Sequence, residues 1–479
     1  MDRYQSIVDG ERVAGSSEIP NINPSDIENP LGVIEQADVS TVDHAVDVAR
    51  AAQKNWARAS ILDRHDVLMR AAQLIHERRD QIATAISSEE GKVLKEGHAE
   101  AERSRRLFEY FAAEAMRNVG DKVDSLKPGA DAEIVREPIG TVGLITPWNF
   151  PFAIPSWKIA PALAFGNAVV MKASSETPWS GVLLAQVLAD AGLPRGVFNL
   201  LLGSGAKLGG AMAAHKGLDA ISFTGSTATG MSIAGTVAGR LGKVLLEMGG
   251  KNPLVIMDDA DIPTAVNCAM MGLYYGTGQK CTSSSRFVVQ SGIHDAFVDA
   301  LTKKLQATRV GHALAPASEI GPVCSRAQYD KDLSYIDIAR EDGAEIVTGG
   351  ERLIREVDGY YMSPALIVGA TPAMRVAREE IFGPVGAVIK VADFEEAVAI
   401  ANDTEYGLSS GICTSSLKHA SEFKRRAEAG VVTVNLPTSG GDFHIAFGGH
   451  KASGYGGKEQ GQYAKEFFTK IKSCYTLPV

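Results

Sequence analysis

The chain has 479 residues, too many for one hydrophobic core, so two or three domains are expected. Its 45% hydrophobic and 22% charged residues fit an ordinary folded protein, and its 49 glycines follow no Gly-X-Y period, which excludes disordered and collagenous chains. With 48 basic against 57 acidic residues and a net charge of −9, nucleic acid is not an expected partner.

No apolar run reaches the ~20 residues that cross a bilayer, so no membrane association is expected. Met1 to Gly10 carries Asp2, Arg3 and Asp9 and has no apolar segment of the secretory kind. The five cysteines (Cys268, Cys281, Cys324, Cys413 and Cys474) are scattered without a C-x-x-C pair. Neither a disulfide framework nor a metal site is expected, and a reducing, cytoplasmic setting follows.

The first ~35 residues read as short strands and turns from their Gly, Pro, Asn and Ser punctuation. Ser40 is the expected N-cap of a helix whose apolar face holds Ala45, Val46, Ala49 and Ala52. Two further helices are expected over 64–79 and 97–115. Residues 124–134 form a Pro/Gly-bounded insertion with the look of a projecting hairpin. Four short apolar runs follow, at 142–145, 168–171, 197–202 and 220–223, with helical stretches between them. This alternation marks a parallel sheet covered on both faces, whose ligands bind at the strand carboxyl ends. A second alternation gives strands at 253–257, 286–289, 345–348, 387–391, 411–414 and 431–435, and 469–476 reads as a last strand.

The residues that end the first four runs carry the candidate chemistry. Gly225-Ser226-Thr227-Ala228-Thr229-Gly230 links a strand to a helix, and its amides suit either a phosphate or a plain structural turn. Lys172 ends a neighbouring strand, open between a ribose or phosphate contact and simple solvation. Cys281, in Gly278-Gln279-Lys280-Cys281-Thr282, has small polar neighbours that suit an accessible thiol, and the adjacent Lys280 would favour thiolate if its side chain faced the sulfur. Glu247 stands after an apolar run and before two glycines; burial there would raise its pKa and suit it to general-base work, against the alternative of a solvated strand end. Asn149, in a Pro-bracketed loop, is open between hydrogen-bond donor and turn former.

Together these segments resemble the aldehyde dehydrogenase superfamily. The resemblance rests on Thr146-Pro147-Trp148-Asn149-Phe150-Pro151, Phe223-Thr224-Gly225-Ser226-Thr227, Leu246-Glu247-Met248-Gly249-Gly250-Lys251, Gly278-Gln279-Lys280-Cys281, Glu380-Ile381-Phe382-Gly383-Pro384 and Phe447-Gly448-Gly449, all in family order. It implies an α/β fold of two parallel-sheet domains plus a small β oligomerisation element. The expected division is 1–122 with 141–248 for the cofactor, 249–448 for catalysis, and 123–140 with 455–479 for assembly into a homodimer or homotetramer.

The resemblance also implies roles. Cys281 would attack an aldehyde carbonyl, Asn149 would hold the oxyanion, Glu247 would activate water, and Lys158 would assist catalysis. Enzymes of the family that pass the acyl group to coenzyme A generally lack this glutamate, so hydrolysis is expected; a catalytically silent relative would have lost the cysteine or the glutamate. The cofactor would lie along Ile145, Thr146, Pro147, Trp148, Lys172, Ser174, Ser175, Gly205, Phe223, Gly225, Ser226, Met248, Gly249, Glu380 and Phe382. NAD-selective members commonly carry a glutamate three residues after the lysine. Here that place holds Ser175 and Glu176 follows, so either NAD or NADP is expected, with NADP favoured.

For the substrate, succinic semialdehyde dehydrogenases place arginines where this chain has Trp157 and Tyr275. The segments 152–158, 435–444 and 456–461 look instead like the 2-oxoglutarate semialdehyde (2,5-dioxopentanoate) branch, with signatures shared by aromatic aldehyde dehydrogenases. An acidic aldehyde calls for a cation, and Arg103, on a helix that borders the substrate tunnel in the family, is the expected carboxylate partner, against the plain reading of a solvated helix arginine. Phe152, Trp157, Phe443 and Phe447 would form the apolar wall.

Overall fold

The computed structural model describes residues 2–117 and 120–478. Residues 1, 118, 119 and 479, which fall within the expected cofactor and assembly units, lie outside the described residues. Two large sheets dominate the chain. In the first, the order is Gly454–Tyr455, Lys243–Glu247, Ala220–Thr224, Thr141–Ile145, Ala168–Lys172, Phe198–Leu201, Ser6–Val8 and Glu11–Val13. Its five central strands pair in parallel, and antiparallel partners close both ends. Four of the five central strands, from Ala220–Thr224 to Phe198–Leu201, are buried throughout, because helices cover both faces.

The chain runs from Thr141–Ile145 outward through Ala168–Lys172 to Phe198–Leu201. It then crosses back to Ala220–Thr224 on the other side of Thr141–Ile145. The reversal opens a crevice at the strand carboxyl ends. Register brings those ends level: Ile145 lies opposite both Lys172 and Phe223, and Thr224 lies opposite Glu247.

The second sheet has the order Glu345–Thr348, Ala365–Val368, Val385–Val391, Arg286–Gln290, Pro253–Ile256, Ser409–Cys413 and Val431–Val434, with only the first pair antiparallel. Residues 248–252 join the two sheets directly. A third sheet pairs Asp121–Asp124 with Asp131–Pro138 and Asp131–Pro138 with Thr469–Thr476. It leaves Val123, Ile471 and Tyr475 exposed.

Helices Val39–Trp56, Ile61–Glu77, Arg79–Glu90 and Leu94–Ala115 make the first quarter of the chain helical. Ser40 is not the N-cap of the first; Asp38 takes that place in extended geometry. Its carboxylate makes no capping bond because it is held by Lys207 Nζ at 2.6 Å. Helix Arg79–Glu90 escapes a reading by periodicity because its last turn, Ser87-Ser88-Glu89-Glu90, is both polar and buried. Glu89 accepts from the amides of Trp179 (2.6 Å) and Ser180 (2.9 Å), at the start of helix Pro178–Asp190, where a carboxylate complements the helix dipole.

Candidate active site

Cys281 stands where two clefts meet. It follows a tight segment in which Thr277 has φ +55° and Gly276 and Gly278 also have positive φ, and it precedes strand Arg286–Gln290. Asn252 pins the loop from the other side. Its Nδ2 donates to Cys281 O (2.8 Å) and Ser283 O (3.0 Å), while its Oδ1 accepts from Ser409 N (2.9 Å). The Cys281 thiol is pushed up to about 12 by burial, with Glu247 and Glu380 adding repulsion; the amides of Thr282 and Cys281 oppose the shift.

Asn149 is buried at the start of the loop that leaves strand Thr141–Ile145. Its Nδ2 donates to Gln279 O at 2.9 Å, which fixes the amide beside the cysteine loop. Lys92 fixes the backbone of the same loop. Its ammonium donates to Asn149 O (2.7 Å) and Glu100 (2.7 Å) and lies 3.9 Å from the Phe150 ring centre. Glu100 in turn accepts from the amides of Phe152 (2.9 Å) and Ala153 (3.0 Å), at the start of helix Ala153–Ala164.

Glu247 ends strand Lys243–Glu247 and is buried, with Oε2 lacking a partner among the described residues. Burial raises its pKa well above the carboxylate range, and Glu459 raises it further; Lys158, Lys458 and the Gly449 amide pull the other way. A Cβ at Gly448 would lie 2.4 Å from Glu247 Oε1, so only glycine, here at φ +147°, fits there. Lys158 is fully buried on helix Ala153–Ala164 and pairs with Glu459, donating also to Ser222 Oγ at 2.7 Å. Glu459 lies in the segment 456–461 and Ser222 in the run 220–223, but sequence reasoning gave neither residue a role of its own.

The first cleft runs over the strand carboxyl ends. Pro147, Trp148, Asn149, Gly225, Ser226, Met248, Gly249, Glu380, Phe382 and Cys281 line it, joined by Thr224, Gln328 and Lys331, which sequence reasoning missed. Glu380 Oε1 accepts from Gly250 N at 2.8 Å, and a Cβ at Gly249 would lie 2.2 Å from Glu380 Oε2, so a side chain there would displace the carboxylate. Phe382 takes φ +71°, a strained value for a non-glycine, and packs edge-on against Trp148 with 5.5 Å between ring centres.

The remaining cofactor candidates lie around the cleft rather than in its lining. Ile145 ends its strand, and Thr146 N donates to Lys172 O at 3.2 Å. Phe223 fills the space beneath Gly225. Gly205 opens helix Gly205–Ala214, 3.5 Å from Lys172 Nζ at the position a Cβ would take. Burial lowers Lys172 to about 8, against the pull of Glu176. Ser174 Oγ accepts from Glu176 N, and Ser175 Oγ donates to Gly203 O at 2.9 Å.

These groups fit a dinucleotide. Thr146 Oγ1 and Thr224 Oγ1 are buried at the two strand ends flanking the crevice without a partner among the described residues. Ser226, the N-cap of helix Thr227–Ala238, makes no side-chain cap, so the helix's first amides are open to a phosphate.

The second cleft is lined by Arg103, Trp157 and Phe447, together with Phe150, Thr282, Val431, Thr438, Gly440, Gly441, Asp442 and Ile445. The rings of Trp157 and Phe447 are 5.6 Å apart. Phe152 and Phe443 are not part of this wall. Phe152 is fully buried in the core beneath, because its amide is held at the start of the helix by Glu100. Phe443 packs against Tyr110, 6.0 Å between ring centres.

A thiol where a dinucleotide-shaped crevice meets an apolar pocket, flanked by an amide donor and a buried carboxyl, matches one family of known enzymes. The aldehyde dehydrogenase family model matches residues 12–474. The chain belongs to the aldehyde dehydrogenase family. An alpha-ketoglutaric semialdehyde dehydrogenase of Bacillus subtilis is 39% identical, over all of this chain and 99% of its own length. A 2,5-dioxopentanoate dehydrogenase of Saccharolobus solfataricus is 38% identical over 99% of both. The crystal structure of betaine aldehyde dehydrogenase from Staphylococcus aureus in complex with NAD+ superposes with a TM-score of 0.96 at 34% identity, covering 99% of this chain and 95% of that one. This aldehyde dehydrogenase is accordingly an NAD(P)-dependent oxidoreductase of the two-sheet α/β fold. No helix among its described residues is long and apolar enough to cross a membrane.

Proposed function

We propose that this aldehyde dehydrogenase oxidises 2-oxoglutarate semialdehyde to 2-oxoglutarate, with Cys281 as the nucleophile. The observation that carries the reading is the meeting of the two clefts at Cys281, with Asn149 on one and Arg103 on the other. When bound, a nicotinamide dinucleotide supplies the hydride acceptor.

The chain's own residues do the rest. Glu247 takes the Cys281 proton as Sγ adds to the carbonyl carbon, giving a tetrahedral adduct on Cys281. Asn149 Nδ2 and the Cys281 amide hold the oxyanion, each such donor worth about 3 kcal/mol of barrier. Loss of hydride leaves a thioester on Cys281. Glu247 passes the proton it took from Cys281 to solvent, then removes a proton from water as the oxygen attacks the acyl carbon; the carbon–sulfur bond breaks, the proton goes to the departing Sγ, and the acid leaves. The Lys158–Glu459 pair sets the charge next to Glu247.

For the substrate, Arg103 supplies a cation on the wall of a largely apolar cleft whose other charged lining residue is Asp442, and its guanidinium suits a terminal carboxylate. The relatives named for alpha-ketoglutaric semialdehyde and 2,5-dioxopentanoate support the same reading. For the cofactor, neutral Ser175 three residues after Lys172 leaves room for a 2′-phosphate, so both dinucleotides are accepted and NADP is favoured. We also propose the division into cofactor (1–122, 141–248), catalytic (249–448) and assembly (123–140, 455–479) units, the last joining subunits into a dimer or tetramer through its exposed apolar side chains.

Quenched-flow mass spectrometry of Glu247→Gln tests the chemistry: an acyl adduct should accumulate on Cys281, and an adduct on another side chain would overturn it. Arg103→Ala tests the substrate. KM for the semialdehyde should rise by on the order of a hundredfold and that for pentanal by much less; equal effects would exclude a carboxylate contact.

A further inference from the structure

We infer that Gln460 is a positioning residue that sets the preference for acidic over neutral aldehydes, acting through Arg103. The inference rests on the substrate reading above. Gln460 has φ +59° and ψ 171°, a backbone region that is essentially glycine-only. It is nevertheless a fully buried glutamine, with glycine next in the chain. A strained conformation of this kind persists only where the surroundings hold it.

The surroundings are visible on both sides. Glu459 is tied to Lys158 and Ser222. One residue on, Gln460 Oε1 accepts from Arg103 Nη2 at 2.9 Å. The two side chains of one strained dipeptide thus serve the two ends of the pocket: Glu459 sits beside the water-activating carboxyl, and Gln460 sits beside the substrate-side cation.

The chemistry of the partner matters more than its presence. Arg103 Nη1 donates to Gly441 O, Nη2 donates to Gln460, and the guanidinium lies 6.0 Å from the Trp157 ring centre. Each of these contacts is neutral. Asp442 and Glu100 act on Arg103 only through space. An amide at 460 therefore fixes the orientation of the guanidinium fork without adding a directly paired negative charge, and leaves that pairing to a ligand carboxylate. A carboxylate at 460 would fix the same fork and cancel that charge. Among the described residues Gln460 Nε2 has no partner, and the guanidinium is the amide's one hydrogen-bond partner there.

The test compares kcat/KM for 2-oxoglutarate semialdehyde and for pentanal, which has the same carbon count and no charge. The proteins are wild type, Gln460→Glu, Gln460→Met, Arg103→Ala and the double variant Arg103→Ala/Gln460→Glu. Gln460→Glu should lower the acidic-to-neutral ratio by on the order of tenfold to a hundredfold, through KM of the acidic aldehyde. Gln460→Met, which frees the fork without opposing its charge, should lower the ratio in the same direction by less, and it serves as the measurement should the glutamate variant not fold. In the Arg103→Ala background Gln460→Glu should add about twofold or less, since its effect runs through the arginine. A high wild-type ratio that survives both Gln460 substitutions overturns the inference and leaves the substrate reading intact. So does a Gln460→Glu effect of equal size without Arg103. A wild-type ratio near one removes the substrate reading itself, and this inference with it.

Discussion

Lys92 supports the oxyanion loop from behind, and its removal should be costly to both stability and turnover. Its side chain is 4% exposed and that of its partner Glu100 is 1% exposed, with 2.7 Å between the charged atoms. Lys92→Met leaves the Glu100 carboxylate buried without a counter-ion, which costs about 3–5 kcal/mol. Glu90, 3.8 Å from the same ammonium, adds little to this, because burial already raises its carboxyl to about 8 and it is mostly neutral at pH 7. The variant also loses the bond to Asn149 O, so the oxyanion amide loosens and kcat should fall roughly tenfold to a hundredfold. The double variant Lys92→Met/Glu100→Gln removes both charges and keeps an acceptor for the Phe152 and Ala153 amides. It should recover at least about 2 kcal/mol of the lost stability while kcat stays low. The sign with pH follows from Lys92 itself: burial lowers its pKa, Glu100 and Glu90 raise it, and the net is upward. The stabilisation is therefore complete at neutral pH and is lost only as pH climbs through the folded-state value. Urea unfolding at pH 7 with steady-state kinetics is the assay. A single variant that costs less than about 1 kcal/mol, or a double variant no more stable than the single, would refute the reasoning.

Two other outcomes follow. With its thiol pushed up to about 12, Cys281 in cofactor-free protein should be alkylated by iodoacetamide about tenfold faster per pH unit from pH 7 to 10. A plateau below pH 9, read by mass spectrometry at that residue, would contradict the assigned environment. Ser175→Glu should raise KM for NADP by about thirtyfold or more and leave KM for NAD within about threefold, because the new carboxylate repels a 2′-phosphate; equal changes would place the adenosine end elsewhere.

The parallel strands were legible because short apolar runs ending in Gly, Pro or Lys leave few alternatives, and strand 469–476 was read at its observed bounds. Helix Arg79–Glu90 was not, since its buried face ends in two serines and two glutamates, and Glu89 finds its helix-start partners about ninety residues ahead. The same distance effect divides the site. Cys281, Glu247 and Asn149 announce themselves in compact local motifs. Glu459 does not, because its partner Lys158 is 301 residues away, and nothing local to either distinguishes a buried ion pair from two solvated charges. Phe152 shows the opposite failure. Its place beside the Asn149 loop suggests a pocket wall, but a helix start fixed by Glu100 turns the ring into the core.

The charges around Cys281 explain why so many buried groups are needed for one thiol. Burial, with Glu247 and Glu380, raises the thiol, and burial with Glu459 raises Glu247, so both groups hold a proton more tightly than they would in water. A thiol kept protonated is spared oxidation and stray alkylation. The same arrangement makes Glu247 a base only when its proton has somewhere to go. Its Oε2 and that of Glu459 are both buried and without partners among the described residues, and Lys158 lies against Glu459. Neutralising Lys158 would therefore be felt at Glu247: part of the opposition to its upward shift disappears, leaving Lys458 and the Gly449 amide, and the pH at which water activation begins moves upward. Lys158→Met should accordingly shift the acidic limb of kcat to higher pH. An unshifted limb, in a variant that still folds, would mean that the ammonium stabilises the helix packing without tuning the carboxyl.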